Sequence, residues 1–267
     1  MRLSRTALRL TLHPGVRTTY SHVSDPGASR HWTTPPVLTP VRPWQVGLVA
    51  TFNGGFKLSN GDSHGGYWDS GFGIDGSSGV VRDPTGSRTL TVGAASLVIY
   101  RDGSWALGTW GREVSMTRQV RFVRQELVPL VDRSTINPLV RSADCQLHWG
   151  VTFNDGTYRW YQHHCDPWRS GVGITASGDL VYVSGHYLTA SDLATLLRKA
   201  GAIRAMQLDI NTQWVSAITY NSSGAAQGRT AVPHVVNSPY NSAGHYITGS
   251  VAAGTAANRD FFAAYLR

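Results

Sequence analysis

The chain has 267 residues, long enough to bury a sizeable core without relying on disulfides or metals. Its formal charge is +8, carried on the basic side almost wholly by arginine, yet charged residues make up only 15%, which excludes a disordered or charge-coated chain. With 29 Gly, 12 Pro, 9 Trp and 11 Tyr it favours short strands and ordered loops over a helical bundle, and no run approaches the ~20 apolar residues of a membrane span.

The arginines are scattered singly rather than gathered on one element, so nucleic acid is not an expected partner. A diffuse arginine excess fits solubility, with a few guanidiniums left for anionic ligands. Residues 1–45 are rich in Pro, Ser, Thr and Arg, with Pro26-Gly27 and Pro35-Pro36 as breakers, and read as an extended N-terminal arm. The opening Met1-Arg2-Leu3-Ser4-Arg5-Thr6 lacks the apolar core of a secretory leader, so an exported protein of this sequence would be a mature or trimmed form. Residues 46–267 read as one domain, since neither a repeat nor a second shift in composition divides them.

Val46 to Phe52 reads as a buried strand ending in Asn53-Gly54-Gly55-Phe56. A strand that ends in Asn-Gly-Gly brings bare backbone and an amide to a loop rim, where a ligand can approach closely; an ordinary turn has the same signature. Residues 59–90 are loop-like. Ser96 to Arg101, then Asp102-Gly103, then Ser104 to Leu107 read as a hairpin, with Asp-Gly suited to a type I′ turn. Residues 116–131 carry a helical stripe (Met116, Val120, Val123, Leu127, Leu130) and also a strand alternation (Val120, Phe122). Pro129 would end any helix there by Val128.

A second hairpin runs from Leu147 to His164 about Asn154-Asp155-Gly156. Cys145 and Cys165 are equidistant from Asp155, so an in-register hairpin sets them opposite each other, with Cα atoms ~4.5–5.5 Å apart. That spacing favours a disulfide and an oxidising compartment; two free buried thiols are the alternative. His148, His163, His164 and Cys165 lie near one another, but no spaced pairs complete a zinc site.

Trp168-Arg169-Ser170-Gly171-Val172-Gly173-Ile174-Thr175 reads as a strand turning at Ala176 to Asp179 into Leu180 to Val183. Arg169, Gly171 and Gly173 share one face, which predicts a trough with a guanidinium at its end, suited to phosphate or carboxylate; a surface arginine on an edge strand is the alternative. His186 follows the second strand. A helix starts after Leu188, where Thr189 can cap it with Asp192, with Leu193, Leu196, Leu197 and Ala200 as its stripe and Gly201 as its stop. The strand from Ala202 to Ile210 then places Met206, Leu208 and Ile210 on one face and Gln207, Asp209 and Asn211 on the other, ahead of Thr212 and Trp214. An acid emerging from a buried strand beside an indole suits sugar chemistry; an Asp that only caps the strand end reads the same way. The number of hairpins against one helix predicts an α+β fold of twisted, mostly antiparallel sheets with few helices packed on them.

In series, these segments resemble the phosphodiester glycosidase family. The family pattern has an Asn-Gly-Gly-Phe strand end, matched by Asn53 to Phe56, and an Arg-Thr/Ser strand running into a Gly turn, matched by Arg169 to Gly178. It continues with a helix, a Gly-Ala pair and a strand ending in Leu-Asp-Gly-Gly-Gly-Ser, matched by Leu193 to Ala202 and by Leu208 to Gln213. Arg124-Gln125-Glu126-Leu127 and Asn258 to Phe262 are similar to an actinobacterial branch of the family. The chain departs from the pattern after Asp209, where Ile210-Asn211-Thr212-Gln213 replaces Gly-Gly-Gly-Ser and Thr212 stands only loosely for the serine.

The resemblance implies an extracellular or cell-envelope hydrolase that cleaves between a sugar's anomeric carbon and a phosphodiester. Arg169 would neutralise the phosphate, and Asp209 would be the carboxylate at the anomeric centre. Asn53 with the Gly54-Gly55 backbone would orient substrate oxygens, as would Asn211 and Thr212. His186 is a candidate helper, and Trp168 and Trp214 are candidate stacking surfaces for a sugar. No cofactor is expected: Asp62, Asp209 and Asn211 offer oxygens suited to calcium, but in no loop of recognised spacing. The implied partner is a sugar phosphodiester or glycan, and no pattern specifies an oligomer. A non-catalytic glycan-binding or envelope protein on the same scaffold is the alternative.

Overall fold

Asp102 shapes the first hairpin through its own side chain. Its Oδ1 accepts from Ser104 N at 2.9 Å and from Ser104 Oγ at 2.6 Å. Gly103 N donates to Tyr100 O at 2.9 Å, and Gly103 takes a left-handed φ of 79°. Strands β5 (Ala95–Tyr100) and β6 (Trp105–Thr109) are therefore joined by a three-residue loop, a type I turn closed by a left-handed glycine. The tighter type I′ turn expected from Asp-Gly does not form, because the aspartate's bonds to Ser104 keep it out of left-handed space.

The computed structural model describes residues 1–13, 47–55, 66–69, 90, 92–141, 168–210, 215–221, 226–229 and 261–267. These form three antiparallel sheets. The first runs β1 (Arg2–Leu3), β11 (Leu180–Gly185), β10 (Arg169–Thr175), β12 (Ala202–Gln207), β8 (Val131–Asp132), β9 (Thr135–Ile136). The second runs β14 (Ala226–Arg229), β13 (Ala217–Tyr220), β3 (Leu48–Asn53), β15 (Phe261–Leu266), β2 (Leu8–His13), and the third β4 (Gly66–Asp69), β7 (Val120–Gln125), β5, β6. The α+β class expected from the sequence is the observed one. Among the described residues there is one α-helix, α1 (Ala190–Lys199), and no helix is long and apolar enough to cross a membrane.

Helix α1 begins where its capping box predicts. Thr189 Oγ1 accepts from Asp192 N at 3.0 Å, and Asp192 Oδ2 accepts from Thr189 N at 2.9 Å. Gly201, at φ 94°, donates to Arg198 O at 3.0 Å and ends it. Leu193, Ala194 and Leu197 are buried against Val181, Ala202 and Ala205 on one face of the first sheet, while Leu196, expected in that stripe, is 38% exposed.

The opposite face of that sheet meets the inner faces of the other two in one core, where Val172, Tyr182, Met206 and Leu208 pack with Phe52 and Phe262 and with Leu97, Trp105 and Phe122. Phe52 stacks on Phe262 with centroids 4.9 Å apart and tilts against Tyr182 at 5.4 Å. Such pairs add ~0.5–1.5 kcal/mol each beyond their buried area. Trp105 Nε1 donates to Gly178 O at 2.9 Å, fastening the third sheet to the β10–β11 turn.

Residues 1–13, expected as the start of an extended arm, are built into the sheets: β1 pairs with β11 and β2 with β15, and Leu3, Leu8, Leu10 and Leu12 are buried. Leu8-Arg9-Leu10-Thr11-Leu12-His13 alternates with period two, a strand signal hidden by the composition of the longer stretch. The ambiguous 116–131 stretch resolves as strand β7, and its helical stripe does not form. The expected hairpin from Leu147 to His164, with Cys145 and Cys165, lies outside the described residues.

Candidate functional site

Strands from all three sheets end together on one polar cluster. Asn53, at the end of β3, is 1% exposed, and its amide makes four hydrogen bonds. Nδ2 donates to Gly54 O and to Ser170 Oγ, both at 2.9 Å, while Oδ1 accepts from Tyr182 OH at 2.7 Å and from Ser216 N at 3.2 Å. Those bonds fill an amide's hydrogen-bonding capacity, so the Asn53 side chain fixes the strand end rather than reaching a ligand. Ser170 Oγ donates onward to Asp209 O at 2.6 Å, and Asp209 N donates to Gly54 O at 3.0 Å. The Asn-Gly-Gly tip and the end of β12 are thereby tied together through the start of β10.

The start of β10 and the end of β12 come together through strand pairing. Gly171 pairs with Gln207, and Leu208 N donates to Ser170 O at 2.8 Å, which brings Arg169 and Asp209 to neighbouring strand ends. Arg169 is 0% exposed and Asp209 2%. The guanidinium plane is set by Nε donating to Leu188 O at 2.9 Å and Nη1 donating to Gln207 Oε1 at 2.6 Å. Burial pushes the Tyr182 hydroxyl far above its ordinary range; nearby Ser184 and Ser170 pull it down, and the Asp209 charge adds to the rise. Tyr182 therefore stays a donor to Asn53 at any working pH.

The trough expected beside Arg169 is filled. A Cβ on Gly171 would lie 3.0 Å from Leu197 Cδ1 and 3.2 Å from Leu193 Cδ2, and one on Gly173 would lie 2.5 Å from Ala202 Cβ. These glycines let α1 and the next strand close down on β10, and of the three residues on that face only Arg169 belongs to the polar cluster. Ile210, expected to share a face with Met206 and Leu208, packs instead in the helix-side cluster, because the ladder stops at Gln207 and the chain turns.

A second buried pair went unassigned in the sequence. Arg124 and Glu126, both 0% exposed, stand 3.4 Å apart from Nη1 to Oε2, and Arg124 Nη1 also donates to Gln125 O at 2.8 Å. Both press on Gly55: a Cβ there would overlap the Glu126 carboxylate and lie 2.7 Å from Arg124 Nη2. The signal that could have found them is that residues two apart share a face on a strand but not on a helix, and 116–131 carried both patterns. Gly55→Ala is expected to destabilise the fold by ~1–3 kcal/mol through overpacking, read as a lower thermal midpoint; an unchanged midpoint would mean that Gly55 does not touch this pair.

Trp168 is 6% exposed and stacks on His186 with centroids 5.0 Å apart, and His186 in turn lies against Tyr187 at 3.6 Å. Tyr187 is 68% exposed with φ 55°. Asp62, Asn211, Thr212 and Trp214 lie outside the described residues, among which no group of three His, Cys, Asp or Glu side chains is arranged to hold a metal ion.

No family model matches the chain, and no curated protein does. Among solved structures, the catalytic domain of zebrafish N-acetylglucosamine-1-phosphodiester alpha-N-acetylglucosaminidase, auto-inhibited by its pro-peptide, superimposes with a TM-score of 0.42 at 17% identity. That match covers 84% of this chain and 66% of the other. A hypothetical protein from Synechocystis gives a TM-score of 0.35 at 8% identity, over 97% of this chain and 56% of the other. The chain thus spans about two thirds of the first structure's length and just over half of the second's.

Proposed function

We propose that this chain is a hydrolase of sugar-1-phosphodiesters, acting outside the cell or in its envelope on glycan material. The observation that carries the reading is the burial of Arg169 and Asp209 at neighbouring strand ends, the second bonded through its backbone to Gly54. Taking ions out of water costs several kcal/mol each, and an apolar pair would pack there at least as well. A cation and a carboxylate held by rigid strands suit a reaction that frees a phosphate while positive charge builds on an anomeric carbon.

In that reaction Arg169 neutralises the departing phosphate, and Asp209 stabilises the oxocarbenium-like centre. The C1–O bond breaks with its electron pair going to the phosphate oxygen, and water supplies the new bond to C1. The products are the free sugar and a phosphomonoester. The test is phosphomonoester release from a panel of sugar-1-phosphodiesters. A glycan-binding module is the second reading, favoured by Ile210, which is 2% exposed where the family pattern has the first of three glycines. It predicts sugar binding with no product, and that outcome would replace the enzyme reading.

A further inference from the structure

The pair on the far side of the Asn-Gly-Gly tip has no role in the scheme above. Arg124 and Glu126 point from the end of β7 into the space where the three sheets meet, with Phe122 one step behind them in the apolar core. An apolar residue at either position would extend that core, whereas each buried ion costs several kcal/mol of desolvation, only partly repaid by its partner. Glu126 is also firmly placed. Its N donates to Ala95 O at 3.0 Å, and Leu127 immediately after it takes a left-handed φ of 48°, turning the chain out of the strand. Gly55 lies against the carboxylate, and its neighbour Gly54 accepts the backbone bond of Asp209. The Glu126 carboxylate thus lies against Gly55, and the main chain of Asp209 is bonded to the adjoining Gly54, so both acidic residues adjoin one bare stretch of backbone.

We propose that Glu126 is the acid–base carboxylate of this site, held by Arg124, and that the Gly54-Gly55 backbone is the floor between it and Asp209. This rests on the sugar-phosphodiester reading. The hydrolysis releases one proton: water bonds to C1, one of its hydrogens stays on the sugar hydroxyl, and the other passes to the Glu126 carboxylate. Glu126 then returns it to the departing phosphomonoester or to solvent, so it ends each turnover ionised. Arg124 is a positioning residue that orients the carboxylate.

The experiment uses the full chain and whichever sugar-1-phosphodiester of the panel the wild type turns over fastest. Glu126→Gln is expected to lower kcat by ~10²–10⁴-fold with little change in KM, and to abolish the fall of kcat/KM on the acidic side. Glu126→Asp, which keeps the acid on a shorter stem, should retain that acidic limb at reduced kcat. Formate should restore part of the turnover of Glu126→Ala by standing in for the missing carboxylate. A Glu126→Gln variant with wild-type kcat and an unmoved acidic limb would overturn the proposal. So would activity lost in step with the thermal midpoint in all three variants, with no formate rescue, which would make the pair a structural clamp. A wild type that releases no phosphomonoester sinks the parent reading and this one with it, whereas an active wild type with an indifferent Glu126 sinks this one alone.

Discussion

Asp209→Asn is expected to lower turnover of a sugar-1-phosphodiester by ~10³-fold while leaving substrate binding nearly intact, a change of about 4 kcal/mol in the barrier. The substitution removes a charge and keeps the size of the side chain. Asp209 is held through its backbone, with N bonded to Gly54 O and O accepting from Ser170 Oγ, and neither bond involves the carboxylate. The backbone bonds therefore keep the asparagine in the same place, and turnover is compared at a temperature where both proteins are folded. Because the carboxylate matters only once positive charge develops at the anomeric carbon, kcat falls and KM does not. Full turnover by Asp209→Asn would remove Asp209 from the reaction even if the wild type proves to be a hydrolase.

Local signals in the sequence translated well where one stretch of chain decides its own structure. The Thr189–Asp192 capping box, the Gly201 stop and the β10–β11 hairpin are all present, because each depends on residues a few positions apart. What the sequence did not expose was contact across long separations. Asn53 and Ser170 are 117 residues apart and Tyr182 and Asn53 129 apart. Nothing local indicates that the Asn53 amide is used up by protein partners instead of facing a ligand. The glycines of β10 misled for the same reason: their meaning lies in Leu193, Leu197 and Ala202, which reach them only after the sheet and helix have assembled. Arg124 and Glu126 were hidden by periodicity, since a stretch that fits both a helix and a strand leaves open which residues share a face. The site candidates Arg169 and Asp209 were legible as residue types at strand ends. That they come to neighbouring strand ends was not, because it depends on the pairing of β10 with β12 across the intervening hairpin and helix.

Arg169→Ala should have the less selective effect. The side chain is 0% exposed, and its loss removes the donors to Leu188 O and to Gln207 Oε1. Leaving the buried Gln207 Oε1 without this donor costs ~1–3 kcal/mol, and the half-buried Leu188 O adds less, so the thermal midpoint is expected to fall by several degrees. Leu188 lies directly before the Thr189 cap, which makes the entry to α1 the first place to loosen. In the reaction the same substitution removes the charge facing the phosphate both in the bound substrate and as it departs, so KM rises and kcat falls together, by ~10²–10³-fold in kcat/KM. Arg169→Lys separates the two contributions. It keeps the charge but loses the planar fork that bonds Leu188 and Gln207 together. If the guanidinium serves the phosphate, the lysine variant keeps measurable substrate binding at a lowered midpoint, while the alanine variant loses both. Should both variants lose stability to the same degree yet keep wild-type KM at a temperature where they remain folded, Arg169 is a strut between β12 and the helix entry, and the phosphate must find its cation elsewhere.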